Sequence, residues 1–152
     1  MAGIFDKLHH ICIAVEDIEK AEAYYVSHGI GPWSDYPPLS EYSELEAPNP
    51  DAFRRMRYRV CNLANIQLQL CQPPADQASP QREMLETKGP GVFHLGFEVP
   101  DADVAETKAR AGGIPVLMRG RRADRTGFTY YDTQKDAGVV LLTRATPRKA
   151  KP

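Results

Sequence analysis

Apolar and polar positions alternate from His10 to Val15: Ile11, Ile13 and Val15 fall on one face, His10, Cys12 and Ala14 on the other. That period of two predicts a strand. The pattern returns at residues 94–99, where Leu95, Phe97 and Val99 oppose His94, Gly96 and Glu98. Laid on itself at an offset of 84 residues, the chain also superposes Asp17 on Asp101, Ala21 on Ala105, Gly29 on Gly113 and Ile30 on Ile114. Recurrence at a fixed offset marks a duplicated structural unit. In each copy the large apolar face suits packing under the following helix, and the small or polar face suits a concave, partly wet surface. Both histidines therefore point into the concavity.

Each strand leads into a helix. Asp17 and Asp101 can accept from the free N–H groups of a first turn, and Gly29 and Gly113 supply left-handed stops. Strand-like segments follow at 56–63 and 66–71 in the first copy, and at 128–131 and 138–143 in the second. A Pro-rich stretch from Gln72 to Pro80 joins the copies, and Ser79 and Pro80 open a short helix that Gly89, Pro90 and Gly91 end. The expected fold is α+β: one domain over 1–152, with a first module at 6–73, a linker at 74–90, a second module at 91–143 and a basic tail at 144–152.

Composition narrows the partners. Nineteen basic and twenty acidic residues leave a net charge of -1, without the electrostatic footprint that a phosphate backbone demands. Nucleic acid is not an expected partner. No segment has the roughly 18 apolar residues that span a bilayer, and the amino terminus lacks a signal pattern. The expectation is a cytoplasmic protein without a membrane partner. Cys12, Cys61 and Cys71 lie in apolar runs without a Cys-x-x-Cys pair, which suits reduced core thiols.

The stretch from Lys7 to Asp17, the stretch from Gly89 to Asp101 and the run Gln69 to Pro73 resemble the vicinal-oxygen-chelate superfamily (glyoxalase, bleomycin resistance, dioxygenase). Among its members they are most like methylmalonyl-CoA epimerases. The resemblance covers roughly residues 7–143. It implies two tandem βαβββ modules forming an open, cup-like eight-stranded β-barrel. It also implies one divalent ion, zinc, nickel, cobalt or manganese, held by His10, Gln69, His94 and a fourth residue. That fourth position, a glutamate in the family, is Leu142 here. A His-Gln-His set is neutral, which favours weak binding of the ion or none.

The chemistry so implied is that of an isomerase or lyase moving a proton next to a carbonyl or thioester. Glu98 is the candidate base, with an arginine such as Arg57 or Arg59 as a possible structural partner instead. Gln67, Tyr130 and Trp33 are candidate substrate contacts. An acyl-CoA, another carbonyl compound or an aromatic compound would be the ligand. Arg119, Arg121, Arg122 and Arg125 would supply a basic rim, or be merely solvated. A competing reading is a metal-free, drug-sequestering binder of the bleomycin-resistance type. The residues 33–55 that lengthen the first module carry Trp33, Tyr36 and Tyr42 among prolines; they suit a cover over the cavity or a contact in a homodimer. His9 and His28 read as structural, His28 at a helix end.

Overall fold

The computed structural model describes residues 3–147; most of the basic tail therefore lies outside the described residues. The first module runs β1 (Leu8–Ala14), α1 (Ile18–Ser27), β2 (Ser34–Asp35), β3 (Glu44–Glu46), α2 (Pro50–Arg54), β4 (Arg57–Asn62) and β5 (Gln67–Gln72). After the linker helix α3 (Pro80–Lys88), the second runs β6 (Gly91–Glu98), α4 (Ala102–Ala111), β7 (Val116–Arg121), β8 (Gly127–Tyr131), α5 (Gln134–Ala137) and β9 (Val140–Ala145). Asp17, Ser79 and Asp101 cap their helices as expected, accepting from the backbone N–H of Lys20, Arg82 and Val104. Gly29 and Gly113 take φ of 79° and 81°, values that cost a side-chain-bearing residue strain. His28 is the C-cap of α1.

The strands form one open sheet in the order β2-β4-β5-β1-β6-β9-β8-β7-β3. This corrects the expected eight-stranded barrel, since β3 is a ninth strand. It comes from the lengthened segment of the first module and pairs antiparallel with β7 of the second. The two opening strands, β1 and β6, are antiparallel neighbours at the centre of the sheet.

The strand faces separate as the alternation predicts. Cys12, Ala14, Val140 and Leu142 pack on the concave side with Tyr42, Phe53, Phe128 and Tyr130, and Phe93 joins them against its parity because the β1–β6 register shifts beside it. Val15, Ile18 and Leu70 form a second cluster under α1, and Val99, Ala102 and Ala105 a third beside α4. The three cysteines are buried and free.

Beneath α4 the sheet carries charge instead. Arg121, fully buried, donates to Asp103, Glu106, Thr129 and the carbonyl of Phe128. Arg119 is held by Glu106 and Glu44, and Arg125 by Asp103 and Glu44. The basic rim inferred from these arginines is therefore corrected for three of them: alternation along β7 turns Arg119 and Arg121 onto the acids of α4. Only Arg122 of the four lines the cavity, beside the Tyr42 ring, with Glu41 accepting from its Nε.

Candidate functional site

Two adjacent cross-strand rows build the site. Gln67, His10, Gly96, Leu142 and Tyr130 are successive partners across β5, β1, β6, β9 and β8. Gln69, Cys12, His94 and Val140 form the next row. His10 and His94 are thus diagonal neighbours. Gly96, beside His10, has no side chain to keep their rings apart. A Cβ built on Gly96 would lie 1.9 Å from His10 Cε1, so the imidazole occupies the space a side chain would fill.

The rings meet with Nε2 atoms 2.9 Å apart and lie edge to face at 83°. They form the floor of a cavity of about 30 Å³, lined also by Gln69, Leu142, Tyr58 and Tyr130. That is room for a water molecule or two, or a reacting carbonyl, but not a whole substrate. A wider surface depression of about 340 Å³ adjoins it and shares Tyr36, Arg122, Arg144 and Thr146 with it. No acidic residue lines the inner cavity among the described residues.

Burial sets the protonation of the site. It depresses the His94 pKa to about 3, and it holds His10 well below the ordinary imidazole value, helped by the proximity of His94, His9 and Arg144. Both rings are neutral near pH 7. The hydroxyls of Tyr58 and Tyr130, 3.4 Å apart, are pushed well above the usual phenol range by the same desolvation. They remain protonated donors.

The neutral histidines make stability depend on pH with a definite sign. A group whose pKa falls on folding binds fewer protons when folded, so acid favours the unfolded chain. The loss begins near the unfolded value of 6.5 and deepens towards the folded value of about 3. For His94 alone it amounts to about 2 kcal/mol between about pH 7 and about pH 5. Urea titrations at the two pH values, with chelator present, should show that difference, and His94→Gln should flatten it.

Of the residues singled out in the sequence, His10, Gln69, His94 and Tyr130 come together in the cavity. Gln67 stands at its edge, its Oε1 accepting from Gln69 Nε2 and its Nε2 donating to Asn62. Trp33 does not join them. It is 8% exposed and packs under α1 against Tyr25, donating to the carbonyl of Ile30. Glu98 is likewise displaced: its carboxylate is 3.8 Å from Lys7 Nζ and lines a separate depression with Ile4, Asp6 and Val104. Its partner is neither Arg57 nor Arg59, which pair with Glu19 and Glu22. Sequence reading missed Arg144, which reaches the cavity from β9, and Tyr58; Tyr42 and Phe53, which close its sides, come from the 33–55 stretch expected to serve as a cover or a dimer contact. Arg144 shares strand parity with Leu142, the one signal that could have placed it.

The donor set matches a divalent ion only in part. Two neutral imidazoles with Nε2 atoms 2.9 Å apart suit adjacent ligands at the usual ~2.0–2.1 Å bond. Against this, the set has no anionic member, Leu142 stands in the fourth position, and two guanidiniums line the same cavity. His, Cys, Asp and Glu form no cluster of three or more that could hold a metal among the described residues. The residues present are a poor fit for a resident ion, and no step below runs through one.

Fold and site together define an α+β protein whose single nine-stranded open sheet carries a histidine-floored cavity. Residues 9–131 match the profile of the Glyoxalase/Bleomycin resistance protein/Dioxygenase superfamily, and the chain belongs to that family. An ethylmalonyl-CoA/methylmalonyl-CoA epimerase of Cereibacter sphaeroides is 29% identical over 116 residues, covering 75% of this chain and 76% of that one. Among solved structures, methylmalonyl-CoA epimerase from Mycobacterium tuberculosis superposes with a TM-score of 0.71 at 22% identity, over 97% of this chain and 93% of the other. A Streptomyces coelicolor methylmalonyl-CoA epimerase variant in complex with 2-nitronate-propionyl-CoA gives 0.67, also at 22% identity, over 96% and 98%.

Proposed function

We propose that this protein is an epimerase-type isomerase that moves a proton on the carbon next to an acyl thioester carbonyl. One observation carries the reading: in a cavity that no carboxylate lines among the described residues, the neutral imidazoles of His10 and His94, each with one N–H and one lone pair, face each other with Nε2 atoms 2.9 Å apart. The names of the relatives supply the substrate class, ethylmalonyl-CoA and methylmalonyl-CoA in the Cereibacter sphaeroides protein.

A carbonyl oxygen entering between the rings would take a hydrogen bond from one imidazole and leave the other's lone pair free for the neighbouring C–H proton. Charge developing on the oxygen then offsets the imidazolium, which this buried floor otherwise disfavours. Glu98, turned towards Lys7, has no part in that step. Arg122 and Arg144 in the adjoining depression would meet the anionic remainder of the substrate.

The test is solvent exchange. Incubated in D2O with methylmalonyl-CoA or ethylmalonyl-CoA, the protein should introduce deuterium at the carbon between the carbonyls, read by mass spectrometry, and His94→Gln should lose this. No exchange from folded protein would sink the enzymatic reading. Thermal stabilisation by the same compounds without exchange would then support the ligand-binding alternative.

A second reading, a divalent ion held by His10, Gln69 and His94, is favoured by the nitrogen spacing alone. Such an ion would polarise the substrate oxygen. Stoichiometric metal in purified protein, with exchange lost on chelation, would establish it.

A further inference from the structure

Two guanidiniums line the cavity, and they differ in what answers their charge. The Glu41 carboxylate accepts from Arg122 Nε at 3.1 Å, the Tyr42 hydroxyl accepts from its Nη2, and the Tyr42 ring lies beneath it. Arg144 of β9 is partly buried, yet no carboxylate among the described residues comes within ion-pair distance of it. Glu98, its cross-strand neighbour, turns to Lys7 instead. Arg144 Nη1 lies over the His9 ring, 2.6 and 2.9 Å from the two ring nitrogens, and its Nε and Nη2 meet no acceptor among the described residues. His9 brings no negative charge: burial and then the guanidinium itself lower its pKa to about 4, so the ring is neutral near pH 7. A cation taken partly out of water without a counter-charge is costly. With Arg122 balanced by Glu41 and both floor histidines neutral, one positive charge faces the cavity unanswered.

We propose that Arg144 binds a free carboxylate of the substrate, so that the protein selects malonyl-type thioesters over simple acyl thioesters. The Nε–Nη2 edge of a guanidinium matches a carboxylate with two parallel N–H···O bonds. The position agrees. Arg144 Nη1 and His10 Nδ1 each lie 2.9 Å from His9 Nδ1, so a single imidazole separates the guanidinium from the cavity floor. A malonyl unit carries its carboxylate and its thioester carbonyl on one carbon, close enough to reach both. Leu142, two residues earlier on the same face of β9, is apolar; a glutamate there would have competed for Arg144. The pairing also bears on the chemistry. Removing the proton between the two groups places a second negative charge beside the carboxylate, and a guanidinium already on that carboxylate offsets the repulsion. The thioester part of this substrate rests on the function proposed above; the carboxylate site does not.

Isothermal titration near neutral pH, with chelator present, reads the preference without turnover. Racemic methylmalonyl-CoA and propionyl-CoA share the whole CoA arm and differ in the carboxylate, and epimerisation of a racemate gives no net heat. Wild-type protein is expected to bind methylmalonyl-CoA more tightly by about tenfold or more, the scale of a charge-assisted hydrogen bond. In Arg144→Met the ratio should fall below about threefold through weaker binding of methylmalonyl-CoA alone, with propionyl-CoA within about twofold of wild type. Arg144→Gln, which keeps an N–H donor and loses the charge, carries the same expectation should the first variant not fold. Arg122→Met, which removes the cation that Glu41 already balances, should keep most of the preference.

Wild-type protein that binds the two thioesters equally, or binds neither, would overturn the proposal. So would a parallel loss of both ligands in Arg144→Met, which would assign the guanidinium to the CoA phosphates. An equal collapse of the ratio in Arg122→Met would leave only the general field of the cavity and overturn it too. Solvent exchange is scored separately. A protein that prefers methylmalonyl-CoA through Arg144 yet introduces no deuterium in D2O would defeat the isomerase reading and keep the carboxylate site. Exchange into methylmalonyl-CoA by a protein indifferent to the carboxylate in binding would do the reverse.

Discussion

Glu106→Ala should lower the unfolding free energy by about 3–5 kcal/mol, the range found when one partner of a buried charge network is removed. Glu106 is 8% exposed and accepts from Arg110, Arg119, Arg121 and Thr129. Burial by itself would raise its pKa, but the hydrogen bonds from Arg119 and Arg110 outweigh that and hold it below the ordinary carboxylate value. Without it, the fully buried Arg121 keeps Asp103 as its one carboxylate within ion-pair distance. A fully buried guanidinium left with a single, partly exposed carboxylate drives the loss. Adding Arg121→Met should restore part of the stability, because the buried charge then goes with its partner. Denaturant unfolding of the two single variants and the double one gives the coupling; purely additive losses would contradict the account.

Gly96→Ala should reduce catalytic turnover by about a hundredfold while the fold persists. The added Cβ would fall within 1.9–2.5 Å of three atoms of the His10 ring, far inside any contact distance. His10 is 3% exposed and cannot swing into solvent, so the ring must tilt and part from His94. Displacing a reacting group by about 1 Å can cost about 10²-fold, and overpacking of this kind costs about 1–3 kcal/mol of stability. Gly112→Ala is the control, since that glycine has φ of -82° and its nearest neighbours at 3.5 Å. It should leave turnover unchanged. Kinetics of the two variants in the deuterium-exchange reaction decide the matter; near wild-type rates for Gly96→Ala would remove His10 from the mechanism.

The parts of the fold legible in the sequence are those whose periodicity is local. The opening strands, three helix caps and the duplication could be read because alternation, Asp or Ser caps and glycine stops lie within a few residues of one another. β7 escaped notice because its run Val116–Arg121 puts Arg119 and Arg121 where a strand beside a helix usually carries apolar groups. Only pairing with Asp103 and Glu106 across space makes that pattern sensible. The same limit governs the site. Strand parity put His10, Gln69 and His94 on one surface, yet parity says nothing of how far along a concave face a side chain reaches. Glu98 thus has the right parity and the wrong end of its strand, and Trp33 fills a core that no pattern around it announces.

β3 has a further consequence at the end of the sheet. Without it, β7 would present a full-length row of unpaired N–H and C=O groups, the surface on which sheets of separate molecules join. In its place the boundary is a three-residue strand carrying Glu44 and Glu46, and the opposite boundary is the two-residue β2 ending in Asp35. Short acidic borders at both ends of a nine-stranded sheet discourage continuation of hydrogen bonding from one molecule to the next. The loop that lengthened the first module therefore also guards the second against aggregation.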